Sequence, residues 1–326
     1  MYILTKVVLA IMLGFITSAV LGLILVPLFK RFKVGQRISQ YVNMRHQQKA
    51  GTPTMGGLIF IISTVLVITF LLVTDKIDFT YDLKIVFFVF VSYAFIGFLD
   101  DYLSIKKGKN EGLTVTQKLF MQLIVALVFF YLYIKNGGQT SLIVSTLGIH
   151  IEMKWLYGLF ILFILVGSSN AVNLTDGLDG LAAGLSAIAF LAFSLVSLMV
   201  GYTDMGIFTL VLTGALMGFL IYNGHPAKVF MGDTGSLALG AVMGTVAIIT
   251  HREITLFIVA FVFVFETLSV IIQVFWYKTF KKRIFLMTPI HHHFEKLGWQ
   301  EVEIVRLFWA FGLILAMAGI IFGVWI

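Results

Sequence analysis

The chain has 326 residues, of which 60% are hydrophobic and only 12% carry a charge, whereas soluble domains contain about 45–50% apolar and about 25% charged residues. So few polar side chains cannot cover a water-soluble globule of this length, which excludes soluble dehydrogenases, nucleic-acid-binding domains and secreted scaffolds. The count of 0 cysteines excludes disulfides and thiolate metal sites. A net charge of +7 in such a chain is first a signal of membrane orientation.

Ten apolar segments, each close to the roughly 20 residues that a spanning helix requires, follow one another along the chain. The first is expected to remain as a spanning helix, because it lacks the small-residue cleavage site of a signal peptide. We therefore predict an all-α polytopic membrane protein, a single integral-membrane domain over residues 1–326 built as a bundle of about ten transmembrane helices. The predicted spans are 3–28, 54–73, 83–99, 119–135, 154–171, 178–200, 206–222, 234–250, 254–276 and 304–325.

The loops between these spans alternate between strongly basic and nearly neutral. Of the 23 lysines and arginines, 17 fall in one set of alternate loops, which the positive-inside rule places in the cytoplasm. Both termini then face outward. The same set of loops contains the polar, glycine-flanked motifs, and irregular backbone at membrane depth is tolerated only where protein or a cavity satisfies it. We therefore expect an active-site cleft that opens to the cytoplasm.

Asp100 and Asp101 form the first polar motif, at the end of the third predicted span. A carboxylate near hydrocarbon costs on the order of 3 kcal/mol, and two adjacent carboxylates repel each other unless a cation joins them. A divalent metal, a bound cation or a role in proton transfer would each account for the pair. The alternative is a solvated helix end beside Lys106 and Lys107.

Three hydrogen-bond acceptors recur in the segment from Asn173 to Gly180. Asn173, Asp176 and Asp179 are three residues apart, which would place them on one face of a helix. Capping of a helix N-terminus is the alternative, but a cap explains one of these residues and not all of them.

The stretch Gly232-Asp233-Thr234-Gly235 is predicted to open a helix. Its free backbone N–H groups and its carboxylate could hold phosphate directly, or could hold Mg²⁺ that binds phosphate. Phe230 precedes this stretch and could stack on a base. The alternative is a capped helix start with Phe230 as a packing residue.

His291, His292 and His293 are consecutive in a basic loop. Consecutive residues cannot all face one metal on a regular helix, and zinc sites favour i, i+4 pairs, so we expect these rings to contact phosphate or sugar. The loop from Arg45 to Gly57 adds cations, hydroxyls and glycines. Together with the carboxylates, the basic loops indicate a divalent metal and a polyphosphate. The pattern predicts a membrane enzyme that acts on a nucleotide-like or pyrophosphate substrate and a lipid.

In their order along the chain, these motifs resemble those of the polyprenyl-phosphate N-acetylhexosamine-1-phosphate transferases. The resemblance runs from about residue 30 to residue 303, and Pro289-Ile290-His291-His292-His293-Phe294-Glu295 is similar to the phospho-N-acetylmuramoyl-pentapeptide-transferase branch. It implies a helical bundle, commonly a homodimer, in the bacterial plasma membrane. It also implies a Mg²⁺-dependent reaction of UDP-N-acetylmuramoyl-pentapeptide with undecaprenyl phosphate, which gives lipid I and UMP in peptidoglycan synthesis. Direct attack by the lipid phosphate and a covalent carboxylate intermediate both remain open.

Carried over by motif, the resemblance assigns Mg²⁺ binding to Asp233 and orientation or deprotonation of the lipid phosphate to Asp100. Asp101 is assigned support of the metal and phosphate region, and His291 the main contact of the histidine run with the phosphates. The remaining positions are assigned to the substrate site, with Phe230 stacking on uracil; they are Lys49, Thr54, Asn173, Asp176, Asp179, Asn223, Phe230, Gln273, His292 and His293.

One position departs from the family pattern. Ser104 stands where many relatives carry a lysine, and Lys106, Lys107 or Lys109 could take its place.

A sibling transferase that uses UDP-N-acetylglucosamine and a polyprenyl phosphate is the alternative in the same class, and the histidine run argues against it.

An ion-coupled transporter is the alternative in a different class, with Asp100, Asp176 and Asp233 as cation sites. Transporters usually place such groups near the membrane midplane and show internal repeats. Here the carboxylates are predicted to lie toward one face, and the sequence shows no convincing repeat, so the enzyme is favoured.

Overall fold

The computed structural model describes residues 2–31, 51–107, 112–144 and 149–325. Within these ranges, nine helices are long and apolar enough to cross a membrane, and Gly57–Val73 is a shorter apolar helix of 17 residues. The elements in chain order are α1 (Ile3–Arg31), α2 (Gly57–Val73), α3 (Tyr81–Lys107), α4 (Val115–Lys135), β1 (Ser141–Val144), β2 (Ile149–Glu152), α5 (Leu156–Thr175), α6 (Leu181–Met199), α7 (Thr203–Asn223), α8 (Gly232–Ile249), α9 (Glu253–Val259), α10 (Phe261–Phe280), α11 (Ile290–Lys296) and α12 (Glu301–Trp325).

This order confirms the predicted all-α polytopic architecture and differs from the predicted spans in three details. The span predicted over 254–276 is divided at Ala260, where α9 ends and α10 begins. The loop predicted between the fourth and fifth spans contains an antiparallel hairpin of β1 and β2. The basic loop that precedes the last span contains the short helix α11. These short elements carry too few residues to produce a clear periodic pattern.

Helix α8 lies at the centre of the bundle, and nearly all of its residues are buried. It packs against α5 so closely that a Cβ on Gly240 would lie 2.2 Å from the carbonyl oxygen of Ser168. Helix α7 packs against α1 in the same way, because a Cβ on Gly214 would lie 2.2 Å from the carbonyl oxygen of Ile11. Glycines at these contacts let the helix backbones approach, which is how helices gain packing energy in lipid.

The polar contacts are concentrated at the two ends of the bundle. At one end, where α3, α5 and α7 finish and α8 begins, lie most of the aspartates that the sequence predicts for the site. At the opposite end, Asn136 Nδ2 donates to Asp82 at 3.0 Å, and Tyr157 donates to the buried Glu253. Between the ends, α1, α4 and α10 expose mainly apolar side chains, as expected of helices that face lipid.

Candidate active site

Asp101 of α3 holds the first turn of α8. Its carboxylate is 6% exposed and accepts hydrogen bonds from the backbone N–H groups of Asp233 at 3.2 Å and Thr234 at 3.0 Å. It also accepts a hydrogen bond from the Thr234 hydroxyl at 2.6 Å. An acceptor at a helix N-terminus satisfies N–H groups that have no partner within the helix. These two N–H groups therefore face Asp101, and Asp233 offers its side chain, not its N–H, to a ligand.

Two glycines make this contact between α3 and α8 possible. A Cβ on Gly97 of α3 would lie 2.1 Å from the carbonyl oxygen of Asp233. Gly232 has a φ of +74°, and a Cβ there would lie 2.5 Å from Oδ2 of Asp101. Glycine tolerates both the positive φ and the close approach, so the two helices place Asp101 directly against the backbone that carries Asp233.

Lys118, in the first turn of α4, bridges the two remaining carboxylates. Its Nζ lies 3.1 Å from Oδ1 of Asp100 and donates to Oδ2 of Asp233. Asp100 also accepts the backbone N–H of Leu113 at 3.0 Å. The side chains of Lys118, Asp100 and Asp233 are each 13–23% exposed, so the group lies near the surface of the site. A cation already joins the two carboxylates at this point.

Asn173 and Asp176 approach Asp233 from α5. Asn173 Nδ2 donates to Oδ1 of Asp233 at 2.8 Å, and Asp176 follows the last residue of the helix, Thr175. Burial raises the pKa of Asp176 to about 8, and the carboxylates of Asp233, Asp101 and Asp179 contribute to the shift. The carboxyl groups therefore crowd one another, and a divalent cation among them would relieve the repulsion.

The prediction that Asn173, Asp176 and Asp179 share one helix face is wrong, because α5 ends at Thr175. Asp179 lies in the turn between α5 and α6, and its Oδ2 accepts from the backbone N–H of Ala227 at 3.0 Å. The spacing argument holds only within a continuous helix, and the glycines of this segment favour a turn instead.

Asp179 belongs to a second group of polar side chains. Its Oδ2 lies 3.1 Å from Nδ1 of His225, and its backbone N–H donates to Oε1 of Glu301 at 2.6 Å. The ligand atoms of Asp179, His225 and Glu301 lie within 4.8 Å of one another, so this group could hold a metal ion. It joins the turn after α5, the connection after α7 and the start of α12.

The connection from α7 to α8 pairs with the segment that precedes α2. Phe230 N–H donates to the carbonyl oxygen of Pro53 at 2.8 Å, and the Phe230 carbonyl accepts from Gly56 N–H at 2.8 Å. This pairing leaves the side chain of Phe230 half-buried. Thr54 is 3% exposed, and Asn223 Nδ2 donates to the carbonyl oxygen of Val229 at 3.0 Å. Thr54 and Phe230 therefore come together, whereas the amide nitrogen of Asn223 is engaged within its own loop.

The histidine run begins α11, and its members have different surroundings. His291 is fully buried, Nδ1 of His292 lies 2.5 Å from Oε2 of Glu295, and Nδ1 of His293 accepts the backbone N–H of Leu286 at 3.1 Å. Gln273 Oε1 accepts the N–H groups of Ile284 and Phe285, at 3.0 Å each. His293 and Gln273 thus fix the basic loop before α11. Lys49, another residue predicted for the substrate site, falls outside the described residues.

Comparison with known proteins identifies the family. The model of glycosyl transferase family 4 matches residues 83–251, and signature 1 of phospho-N-acetylmuramoyl-pentapeptide-transferase matches residues 49–61. A phospho-N-acetylmuramoyl-pentapeptide-transferase of Geobacillus sp. (strain WCH70) is 48% identical over 320 residues, which is 98% of each chain. The chain belongs to the phospho-N-acetylmuramoyl-pentapeptide-transferase family. Proteins of the same name from Bacillus subtilis (strain 168) and Oceanobacillus iheyensis are 47% and 46% identical, each over 97% of this chain and 97% and 98% of their own lengths.

Sequence reasoning missed several residues of the site. Lys118 bridges Asp100 and Asp233, although in the sequence it is only one of many basic residues. Lys109, one of the lysines expected to take the place of Ser104, lies outside the described residues. His225 and Glu301, which flank Asp179, lie in separate segments and give no local signal. Glu266 does give a local signal in the sequence, because a single carboxylate inside an apolar span usually has a function.

Proposed function

We propose that the chain transfers phospho-N-acetylmuramoyl-pentapeptide from UDP-N-acetylmuramoyl-pentapeptide to undecaprenyl phosphate, giving lipid I and UMP. The observation that carries this proposal is the 48% identity to a phospho-N-acetylmuramoyl-pentapeptide-transferase over 98% of both chains. In this reaction an oxygen of the lipid phosphate forms a bond to the sugar-bearing phosphorus, and the bond from that phosphorus to UMP breaks. The site supports such chemistry because it concentrates carboxylates and a lysine at one end of an apolar bundle.

An apolar groove lies beside α5, the helix that carries Asn173, and we assign this groove to the polyprenyl chain. The groove encloses about 270 Å³ between α5, α8, α9 and α10. Phe163 and Phe257 line one part of it, and Ala171 and Val172 line another. Val172 directly precedes Asn173, whose amide contacts Asp233. A lipid whose chain lies in the groove would therefore carry its phosphate toward Asp100 and Asp233.

The carboxylates fit the Mg²⁺ that the family implies. Mg²⁺ binds through one or two carboxylates and keeps its other positions for water and substrate phosphates. Asp233 and Asp100 offer hard oxygen ligands that already share one cation, Nζ of Lys118. We propose that Asp233 holds the ion, with Asp100 beside it. When bound, Mg²⁺ would neutralise charge on the diphosphate and favour departure of UMP.

The other residues act through positioning and charge. Asp100 orients the lipid phosphate or takes its proton, and Lys118 offers a positive charge to the phosphates. Asp101 fixes the backbone that carries Asp233. It therefore supports the site, and the N–H groups that it accepts are not available to a ligand. Phe230 is placed to stack on uracil, because its backbone is fixed by Pro53 and Gly56 while its ring is half-buried.

The test is release of UMP by the purified protein supplied with undecaprenyl phosphate and UDP-N-acetylmuramoyl-pentapeptide, with Mg²⁺ or with EDTA. We expect UMP and an equal amount of lipid I only when both substrates and Mg²⁺ are present. Turnover with UDP-N-acetylglucosamine as the only sugar nucleotide would instead identify the sibling transferase. A folded protein that releases no UMP from either nucleotide would refute the proposal.

We also propose that the protein is a homodimer with its site open to the cytoplasm. The basic loops support the orientation, and the family resemblance supports the dimer. Native mass spectrometry of the protein released from detergent tests the oligomeric state directly: a mass of two chains is expected, and a mass of one chain at all detergent concentrations would refute the dimer.

A further inference from the structure

Glu266 is a carboxylate inside the membrane-spanning part of α10. It is fully buried, and apart from Thr267 the groove residues of the same helix are apolar. A charged side chain at this depth is costly unless another group pairs with it. The atom that faces it is Nδ1 of His291, 3.1 Å from Oε1 of Glu266. Within the described part of the chain, the carboxylate oxygens of Glu266 and the ring nitrogens of His291 have no hydrogen-bond partner, and this close contact is where the two buried groups meet.

His291 connects Glu266 to the substrate side of the protein. Its ring is fully buried, and Nε2, on the edge opposite Nδ1, faces the turn after α5. A Cβ on Gly177 would lie 2.3 Å from this Nε2, so only a glycine at that position leaves room for the ring. Gly177 lies between Asp176 and Asp179, which the family resemblance assigns to the substrate site. The imidazole thus reaches from α10 to the turn that carries these aspartates.

We propose that Glu266 is the positioning residue for His291. By accepting a hydrogen bond from Nδ1–H of His291, the carboxylate fixes which ring nitrogen carries the hydrogen. It also directs Nε2 toward the substrate turn. A carboxylate or carbonyl partner on one nitrogen commonly sets the tautomer and orientation of a functional histidine. At 3.1 Å the two atoms are close enough for a hydrogen bond once the carboxylate and the ring are aligned, and the terminal torsion of a glutamate is broad. This inference rests on the proposed transferase function, in which His291 acts on the substrate through the turn that carries Asp176 and Asp179.

A purely structural role makes a different prediction from a positioning role. Glu266→Gln keeps the size of the side chain and removes its charge, whereas Glu266→Asp keeps the charge and leaves a small cavity. If Glu266 only fills space between α10 and α11, Gln is tolerated and Asp is damaging. If Glu266 positions His291 through its charge, the order is reversed.

The experiment measures kcat, both KM values and the melting temperature of the purified full chain, with undecaprenyl phosphate and UDP-N-acetylmuramoyl-pentapeptide as substrates. We expect Glu266→Gln to lower kcat by about 10- to 100-fold, as loss of a histidine's carboxylate partner commonly does, with both KM values nearly unchanged. Glu266→Asp should retain a higher kcat than Glu266→Gln. Glu253→Gln is the matched control, because it removes a buried carboxylate at the opposite end of the bundle and should change melting temperature without changing kcat.

A kcat of Glu266→Gln within twofold of wild type, or a lower kcat for Asp than for Gln, would overturn the positioning role. If Glu266→Gln cannot be purified in a folded form, Glu266→Asp decides. Because Asp keeps the charge and is one methylene shorter, a kcat lowered by less than about tenfold at nearly unchanged KM would then support the inference. An unchanged kcat, or loss of turnover together with a lowered melting temperature, would overturn it. Absence of turnover in the wild type would instead refute the proposed function, so the two failures are distinguishable.

Discussion

Asp233 is the residue at which the contacts of the site converge. One of its carboxylate oxygens accepts a hydrogen bond from Lys118, and the other accepts one from Asn173. Its backbone N–H donates to Asp101. Asp233→Asn keeps the shape of the side chain and an oxygen for Asn173, and it removes the negative charge. We expect kcat to fall by about 100- to 1,000-fold, the usual effect of removing one strong electrostatic group from an active site.

The melting temperature of Asp233→Asn should stay close to that of the wild type, because Lys118 retains Asp100 as a partner. Release of UMP and thermal unfolding of the same preparation provide the two readouts. Asp78→Asn is the matched control, since Asp78 is exposed at the opposite end of the bundle. Wild-type turnover by Asp233→Asn would contradict the assignment of Asp233.

Lys118 makes a second, separable prediction. In Lys118→Met the carboxylates of Asp100 and Asp233 lose the cation that joins them, which should lower the unfolding free energy by about 1–3 kcal/mol in EDTA. Mg²⁺ should raise the melting temperature of this variant more than that of the wild type, because in the wild type a cation already neutralises the pair. Differential scanning fluorimetry in EDTA and in Mg²⁺ measures both effects.

Lys106→Met is the control for this prediction, because Lys106 is exposed near the end of the same α3 helix that carries Asp100. It should respond to Mg²⁺ as the wild type does. An equal response of Lys118→Met and wild type to Mg²⁺ would show that the ion does not bind between these two carboxylates.

At the scale of single residues, the sequence reveals the acidic residues of the site more readily than the basic residue that contacts them. Asp100 and Asp101 are predicted because a carboxylate at the end of an apolar span is costly and therefore conspicuous, and Asp233 because it stands in a Gly-Asp-Thr-Gly stretch that opens a helix. Lys118 was not, because a lysine in a basic loop is expected on orientation grounds alone. Its choice of partner is decided by how α4 packs beside α3 and α8, and no local pattern encodes that contact.

At the scale of helices, the site depends on the approach of α3 to α8. A Cβ on Gly97 would lie 2.1 Å from the carbonyl oxygen of Asp233. Gly97→Ala must therefore separate the two helices. Overpacking of this kind usually costs about 1–3 kcal/mol. We therefore expect a lower melting temperature and loss of UMP release, because Asp101 can no longer cap α8 and hold Asp233 in place.

Gly167→Ala is the matched control for stability, since nothing lies within 4 Å of a Cβ at that helical position. Replacing glycine by alanine inside a helix should leave the melting temperature unchanged or raise it. A stable, active Gly97→Ala protein would show that the contact between α3 and α8 is not required for the site.

The helices themselves were largely predictable, and their interruptions were not. Long apolar segments give a strong signal over about 20 residues, which is why the predicted spans match α1, α2, α4 to α8 and α12 closely. Helix α3 differs, because it runs on to Lys107, beyond the predicted end at residue 99. The division of one span at Ala260 and the end of α5 at Thr175 depend on neighbouring helices and on single glycines. The error about Asn173, Asp176 and Asp179 has this origin, because their common face required a helix that does not continue.

At the scale of the whole molecule, the two polar ends of the bundle are chemically different. One end holds the aspartates and the lysine that bridges them, and the other holds contacts such as Asn136 with Asp82. The described parts of the basic loops lie at the aspartate end, and the positive-inside rule predicts that this end faces the cytoplasm. UDP-linked substrates are made in the cytoplasm, so an opposite orientation would separate the proposed enzyme from its nucleotide.

The absence of cysteine makes this orientation testable with single labels. The chain has 0 cysteines, so Asp78→Cys and Lys282→Cys each introduce one thiol, at exposed positions on the two ends. In right-side-out membrane vesicles, a membrane-impermeant maleimide should label Asp78→Cys at once and Lys282→Cys only after detergent is added. UMP release by each variant in detergent confirms that the label reports on a folded enzyme. Immediate labelling of Lys282→Cys with protection of Asp78→Cys would reverse the orientation and place the carboxylates on the outer face.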